Sequence, residues 1–95
     1  EVNLFRPPYG KIKKSQAKTI LKTHKIIMWD VISYDFSPEM NPQKCLSVCL
    51  KYSKSGSIVV FHDSQKAFKN MAYTLPRFLA YFQEKGYSFE PIILN

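Results

Sequence analysis

The sequence predicts an α/β fold of parallel strands in the order β-α-β-α-β-α-β. Short apolar runs alternate with amphipathic segments of helical period along the 95 residues, and glycine or proline marks several of the junctions. Strands that alternate with helices in this way are joined by right-handed crossovers and pair in parallel. A chain of this length forms one domain or part of one, so we assign residues 1–95 to a single unit.

The strands are predicted from short apolar runs at 2–5, 25–29, 57–61 and 87–94. The run KIIMW at 25–29 is apolar over most of its length, which is typical of a parallel strand buried on both faces. The segment 31–40 that follows is expected to form a loop. A turn is expected at 7–10 (PPYG), because consecutive prolines interrupt both sheets and helices.

Each of the three predicted helices has a recognisable beginning. The first is expected to have Ser15 as its N-cap. The second is expected to have Asn41 as its N-cap and Pro42 at its first position, the helical position that proline favours. The third is expected to be regular from near Thr74, so that Pro76 falls in its first turn, and to end before Gly86.

Cys45 and Cys49 are expected to be core side chains of the second helix. Residues four apart lie on one helical face, and side chains on successive turns do not have the geometry of a disulfide. Two cysteines without paired histidines are also a weak signal for zinc.

Positive charge is concentrated near the N-terminus. The net charge is +7, and the segment 2–29 contains seven Lys or Arg residues and no Asp or Glu. A solvated basic surface is the simplest interpretation. The alternative is a small basic α/β module that binds nucleic acid or an anionic glycan. No apolar run approaches the roughly 20 residues that span a bilayer, so no membrane span is predicted.

Polar side chains follow three of the predicted strands. Arg6 and Tyr9 follow the first, Asp30 and Asp35 the second, and His62 with Asp63 the third. The carboxyl ends of parallel strands share one edge of a sheet, where catalytic groups collect. A carboxylate beside an imidazole can orient it for acid–base chemistry. We therefore expect these side chains to converge, with Asp63 the weakest candidate.

Three segments in this order resemble the motifs of the polysaccharide deacetylases, the family 4 carbohydrate esterases with a nodulation-type deacetylase homology domain. They are RPPYG at 6–10, WDVISYDF at 29–36 and GSIVVFHD at 56–63. The resemblance continues through the last helix and strand and so covers essentially the whole chain. It implies the C-terminal part of a distorted (β/α) barrel, with the upstream half of the domain missing from this sequence.

The resemblance also implies an activity, which is metal-assisted removal of acetyl groups from a carbohydrate polymer. By resemblance, His62 is the general acid and Arg6 positions the catalytic base. The backbone amide of Tyr9 helps to bind the oxyanion, and Asp30 or Asp35 orients His62 or braces Arg6. The implied partner is an acetylated polysaccharide or oligosaccharide, with no nucleic acid, and an extracytoplasmic or envelope location is favoured.

The chain departs from the family pattern at several positions. Ile32 and Phe36 stand where the family usually has Asp and Trp, and Val60 replaces the usual Leu of the closing motif. Phe36 and Val60 are expected to wall the acetyl pocket and groove. The motifs that supply the base and the ligands of a divalent metal, most often zinc, belong upstream of residue 1. We therefore expect these 95 residues alone to bind no metal and to be inactive.

Two further expectations follow from the resemblance. Half of a barrel leaves a sheet edge open, which favours self-association or pairing with the missing half. If the upstream metal and base motifs are themselves absent from the parent, the parent is a carbohydrate-binding protein without catalysis.

Overall fold

The computed structural model describes residues 3–92 and shows an α/β protein with parallel strands. Four short strands and three helices follow one another, and a 3₁₀ turn at Pro8–Gly10 follows the first strand. The elements are β1 (Leu4–Phe5), α1 (Lys14–Ile20), β2 (Lys25–Ile26), β3 (Val31–Ile32), α2 (Pro42–Tyr52), β4 (Val59–Val60) and α3 (Gln65–Glu84).

The strands form two parallel pairs that share one extended segment of the chain. β1 pairs with β2, with Leu4 opposite Lys25, and β3 pairs with β4, with Val31 opposite Val59. Because β2 and β3 both belong to the segment 25–32, this segment contacts β1 through its first half and β4 through its second half. The predicted parallel pairing is confirmed.

Two expectations about this central segment are wrong. Val31 and Ile32 were assigned to a loop but form β3, because the backbone stays extended beyond Asp30 and pairs with β4. The run 25–29 is not buried on both faces, since Lys25 and Met28 are exposed. Within residues 3–92 the main neighbours of β2 are β1 and the seven-residue α1, which cover too little of the strand to bury it.

The helices begin at different residues from those expected in two of three cases. Asn41 caps α2 as predicted, and its Oδ1 accepts a hydrogen bond from the Lys44 backbone amide at 2.8 Å. The N-cap of α1 is Lys13 instead of Ser15. α3 begins at Gln65, well before Thr74, and Pro76 therefore lies inside the helix.

The core lies between α2 and α3. Cys45 and Cys49 of α2 pack against Phe78 and Phe82 of α3, and the cysteines are free and buried as predicted. Partly buried side chains of β4 and its flanks complete this cluster. The final strand predicted at 87–94 is not formed by residues 87–92, and 93–94 lie outside the described residues. None of the described helices combines the length and the apolar character that crossing a membrane requires.

Candidate active site

Asp35 and His62 meet at the carboxyl ends of the adjacent strands β3 and β4. The Asp35 carboxylate is fully buried, and each of its oxygens contacts His62. Oδ2 accepts a hydrogen bond from the His62 backbone amide at 2.7 Å, and Oδ1 lies 2.8 Å from Nδ1 of the ring. The His62 side chain remains 36% exposed. The carboxylate therefore fixes both the backbone and the ring of a histidine that solvent can reach.

The backbone of Asp35 is held in place by residues on two sides. Its amide donates to the Ser33 hydroxyl at 3.3 Å, and its carbonyl accepts from Nδ2 of Asn70 on α3 at 3.0 Å. Ser33 and Asn70 are both buried. The loop after β3 is thus tied to the helix that follows β4.

Aromatic rings flank the histidine. The Phe36 ring meets the His62 ring edge-on with 4.9 Å between centroids, and the Tyr34 ring lies 6.1 Å from that of Phe36. Tyr34 is 48% exposed and has a left-handed backbone, with φ of 58°. The Lys66 ammonium of α3 lies 5.9 Å from the Phe36 ring centroid. An exposed aromatic surface therefore adjoins the imidazole.

Asp30 occupies a different place from Asp35. Its Oδ2 accepts a hydrogen bond from the Ile58 backbone amide at 2.7 Å, and its own amide donates to the Ile58 carbonyl at 2.9 Å. Both residues precede their strands, so this contact lies at the amino ends of β3 and β4. Asp30 joins the two strands there, whereas Asp35 is the carboxylate that contacts His62.

Arg6 and the turn at Pro8–Gly10 form a second group around Trp29. The Arg6 guanidinium lies 6.0 Å from the Trp29 ring centroid, and a β-carbon at Gly10 would lie 2.8 Å from the edge of the same ring. The Tyr9 side chain is 92% exposed, and Tyr9 has a φ of 58°. Within residues 3–92, no hydrogen bond or ion pair joins this group to the Asp35–His62 pair.

The remaining candidates contribute little exposed surface or few contacts. Val60 is buried in β4 opposite Ile32, so it presents almost no surface to a ligand. Asp63 is exposed between β4 and α3. The expected wall of the acetyl pocket therefore depends on Phe36 and not on Val60.

The described residues do not fit a metal centre on their own. Residues 3–92 bring together no group of three or more His, Cys, Asp or Glu side chains that could hold an ion. The cysteines are poor ligands, because burial and then the neighbouring Cys45 thiol raise the pKa of Cys49 to about 12. Burial also raises the pKa of Cys45, although a hydrogen bond with Thr74 opposes this. A metal ligand must be a thiolate, which these environments disfavour.

Sequence reasoning missed Asn70. A buried polar residue interrupts the apolar pattern from which a helix is recognised, and Asn70 and Thr74 both do so on the inner face of α3. One signal was present in the spacing, because Ala67, Asn70, Thr74 and Phe78 follow one another at helical intervals.

The fold and the site together define a parallel α/β protein with a carboxylate-oriented histidine at its strand ends, an arrangement typical of acid–base enzymes. No model of a known protein family matches the sequence, and neither does any curated protein. Among solved structures, the chain is similar to the Bc1960 peptidoglycan N-acetylglucosamine deacetylase in complex with 4-naphthalen-1-yl-N-oxidanyl-benzamide, with a TM-score of 0.84 and 22% identity. The match covers 94% of this chain and 42% of the deacetylase chain, so these residues share the fold of less than half of that protein.

Proposed function

We propose that this chain is the C-terminal part of a polysaccharide deacetylase and supplies the general acid of its active site. The contact of a buried Asp35 with a solvent-accessible His62 carries the proposal. The shared fold with a peptidoglycan N-acetylglucosamine deacetylase supports the same reaction class. A polysaccharide containing acetylated amino sugars is the proposed substrate, and the cell envelope is the proposed location.

The chemistry assigned to His62 follows from its contacts. Because Nδ1 faces the carboxylate, Nε2 is the ring nitrogen left for the substrate. Removal of an acetyl group from an amide requires protonation of the departing nitrogen, and an imidazolium at Nε2 can deliver that proton. Asp35 keeps the ring oriented through its contact with Nδ1. Asp30 is assigned a structural role, which is to join the amino ends of β3 and β4 through Ile58.

The aromatic surface beside His62 is assigned to the sugar. Phe36 and Tyr34 offer apolar ring faces against which the hydrophobic face of a pyranose can pack. Phe36 forms the wall of the acetyl pocket, whereas Val60 is buried in β4 and is not assigned to that surface. Arg6 is proposed to position the catalytic base, and the backbone amide of Tyr9 is proposed to help bind the oxyanion. Both roles rest on the resemblance of residues 6–10 to the family motif.

A divalent metal, most often zinc in this family, is expected in the complete enzyme to polarise the acetyl carbonyl. The described residues do not fit that ion, so its ligands and the catalytic base are proposed to lie in sequence outside these 95 residues. No role of His62 or Asp35 depends on contact with the metal.

The test is acetate release from N-acetylglucosamine oligomers by the natural polypeptide that contains this sequence. His62→Gln is expected to lower kcat by about 10²-fold or more, because a general acid contributes about 10²- to 10⁴-fold. His24→Gln is the matched control, since His24 contacts Thr23 at 2.8 Å, outside the site. The 95 residues alone are expected to release no acetate. Equal activity of the two variants would contradict the assignment of His62.

Anion binding is the second candidate, and the charge distribution supports it. The segment 3–29 contains seven basic residues and no acidic residue, whereas the rest of the chain contains seven basic and seven acidic residues. Retention of the protein on an immobilised polyanion that falls steeply with salt would support this function. If the protein instead binds neutral N-acetylglucosamine oligomers, and salt does not weaken this binding, the deacetylase function is favoured.

A further inference from the structure

Asn70 connects α3 to the residue that orients the candidate acid. Its Nδ2 donates to the Asp35 carbonyl at 3.0 Å, across 35 positions of sequence, and the side chain is buried at 6% exposure. The bond therefore joins the loop after β3 to the first half of α3, directly beneath the carboxylate that contacts His62.

The loop that presents Asp35 needs such a tie. Tyr34, immediately before Asp35, has a φ of 58°, in the left-handed region that costs free energy for any residue with a β-carbon. A strained conformation persists only where surrounding contacts determine it. Two hydrogen bonds hold the backbone of Asp35 beside this strained position. The Asp35 amide donates to the Ser33 hydroxyl, and the Asp35 carbonyl accepts from the side-chain amide of Asn70.

Asn70 is also an unfavourable choice for packing alone. Its Oδ1 is buried and has no hydrogen-bond partner within residues 3–92. An unsatisfied buried acceptor destabilises a fold. Asn70 thus lowers stability through its Oδ1 and holds the Asp35 backbone through its Nδ2.

We propose that Asn70 is a positioning residue that holds the Asp35 backbone so that both carboxylate oxygens reach His62. The consequence for catalysis rests on the proposed deacetylase function, whereas the positioning itself does not. In the deacetylase, loss of this bond lowers kcat and leaves KM unchanged, because Asn70 acts through Asp35 and does not touch the substrate.

The experiment compares Asn70→Leu with Thr74→Val in the 95-residue chain by NMR. Thr74 is a matched control, because it is buried one turn further along α3 and donates to the Pro42 carbonyl at 3.4 Å, away from Asp35. Two signals report on the site, namely hydrogen exchange of the His62 backbone amide and the resonance of its Nδ1 proton. Thermal unfolding reports separately on stability.

Asn70→Leu is expected to speed exchange of the His62 amide about fivefold or more and to broaden the Nδ1 proton signal. It is also expected to lower the melting temperature, because the buried Asp35 carbonyl loses its donor. Thr74→Val is expected to lower the melting temperature and leave both His62 signals unchanged. If Asn70→Leu does not fold, Asn70→Ala is measured by the same signals.

Unchanged His62 signals in the Asn70 variant would overturn the proposal. Equal changes of the His62 signals in the Asn70 and Thr74 variants would also overturn it, because they would indicate a general loosening of α3. Because neither signal depends on turnover, absence of deacetylase activity in the natural polypeptide would remove the proposed function and leave the positioning role intact.

Discussion

Both oxygens of the Asp35 carboxylate contact His62. The buried carboxylate can therefore orient the imidazole ring while the ring itself remains exposed to solvent. A fully buried carboxylate is costly unless its hydrogen bonds are satisfied, and here the partner groups are the backbone amide and the ring of His62. The ring itself stays accessible. The site therefore combines a rigid interior with a reactive group at the surface, which general acid catalysis requires.

Cys49 makes the stability of the protein sensitive to alkaline pH. The pKa of its thiol is about 12 in the fold, against an ordinary value of 9.0. Below pH 9.0 both the folded and the unfolded states keep the proton, and the full stability is present. Above it the unfolded state ionises first, so stability is expected to fall as pH rises from 9.0 towards 12, by at most roughly 1.4 kcal/mol per pH unit from this group.

Urea unfolding across that pH range would measure this effect, with Cys49→Ala as the comparison. The variant is less stable at neutral pH because it leaves a cavity, but its curve should fall less steeply with pH. Groups common to both proteins cancel in the comparison, so the difference between the two slopes reports on the Cys49 thiol and its interaction with Cys45. Parallel curves would contradict the assigned pKa.

Gly10 and Gly56 allow the contribution of Trp29 to the turn at Pro8–Gly10 to be measured. Both glycines have a positive φ, 66° and 86° respectively, so alanine at either position costs about 1–2 kcal/mol. A β-carbon at Gly10 would also lie 2.8 Å from the Trp29 ring, whereas one at Gly56 would meet nothing within 4 Å. Gly10→Ala is therefore expected to lower the free energy of unfolding more than Gly56→Ala, as measured in urea. Equal losses would show that Trp29 moves freely.

At the element scale, α3 connects the core to the site. Its second half packs Phe78 and Phe82 against α2, and its first half places Asn70 behind Asp35. Pro76 lies between these halves and cannot donate a hydrogen bond to the carbonyl four residues earlier. The helix therefore continues through a residue that usually ends one.

Pro76→Ala is expected to raise the free energy of unfolding by about 1–3 kcal/mol, because it restores the missing hydrogen bond and removes the ring clash. Ala80→Pro, one turn later at an exposed position, is the reciprocal control and is expected to destabilise by about 3 kcal/mol. Urea unfolding measures both. A loss of stability in Pro76→Ala would mean that the packing of Phe78 depends on a bend at Pro76.

The same helix shows how far sequence reasoning reaches. Three of the strands read from apolar runs, those within 2–5, 25–29 and 57–61, depend on local chemistry, and the sequence was sufficient for these. The same holds for the cap at Asn41, the buried cysteines and the strand-end position of His62. Residues 65–73 lie outside the predicted helix, because the prediction places Pro76 in its first turn. Asn70 and Thr74 are polar residues on the buried face of the observed helix. Their partners, Asp35 and Pro42, are distant in sequence, so only the fold shows why polar residues lie there.

The whole molecule is more open than its length requires. Its radius of gyration is 15.0 Å, against about 12 Å for a compact chain of this size. Its accessible surface is 7504 Å², against roughly 5,700 Å² for a compact protein of 11.1 kDa. The excess of about 1,800 Å² is larger than the roughly 800 Å² that one partner buries in a standard protein–protein interface. Within residues 3–92, no strand covers the outer edges of β1 and β4.

This open surface has a defined apolar region. A cavity of about 610 Å³ lies beside β4 and the second half of α3, and Leu79, Phe89 and Ile92 are among the exposed side chains that line it. In a complete deacetylase fold, this region is proposed to contact the rest of the domain. In the isolated chain, a second copy is proposed to cover it.

Sedimentation of the 95-residue chain over a range of concentrations tests this proposal. The chain is expected to dimerise as its concentration rises, because burying the apolar lining removes it from water. Leu79→Lys places a charge in the cavity and is expected to keep the chain monomeric. Leu21→Lys is the matched control, since Leu21 is more exposed but lies outside the cavity, and this variant is expected to associate like the original chain. A chain that stays monomeric at every concentration would contradict self-association, and equal behaviour of the two variants would place the contact on another surface.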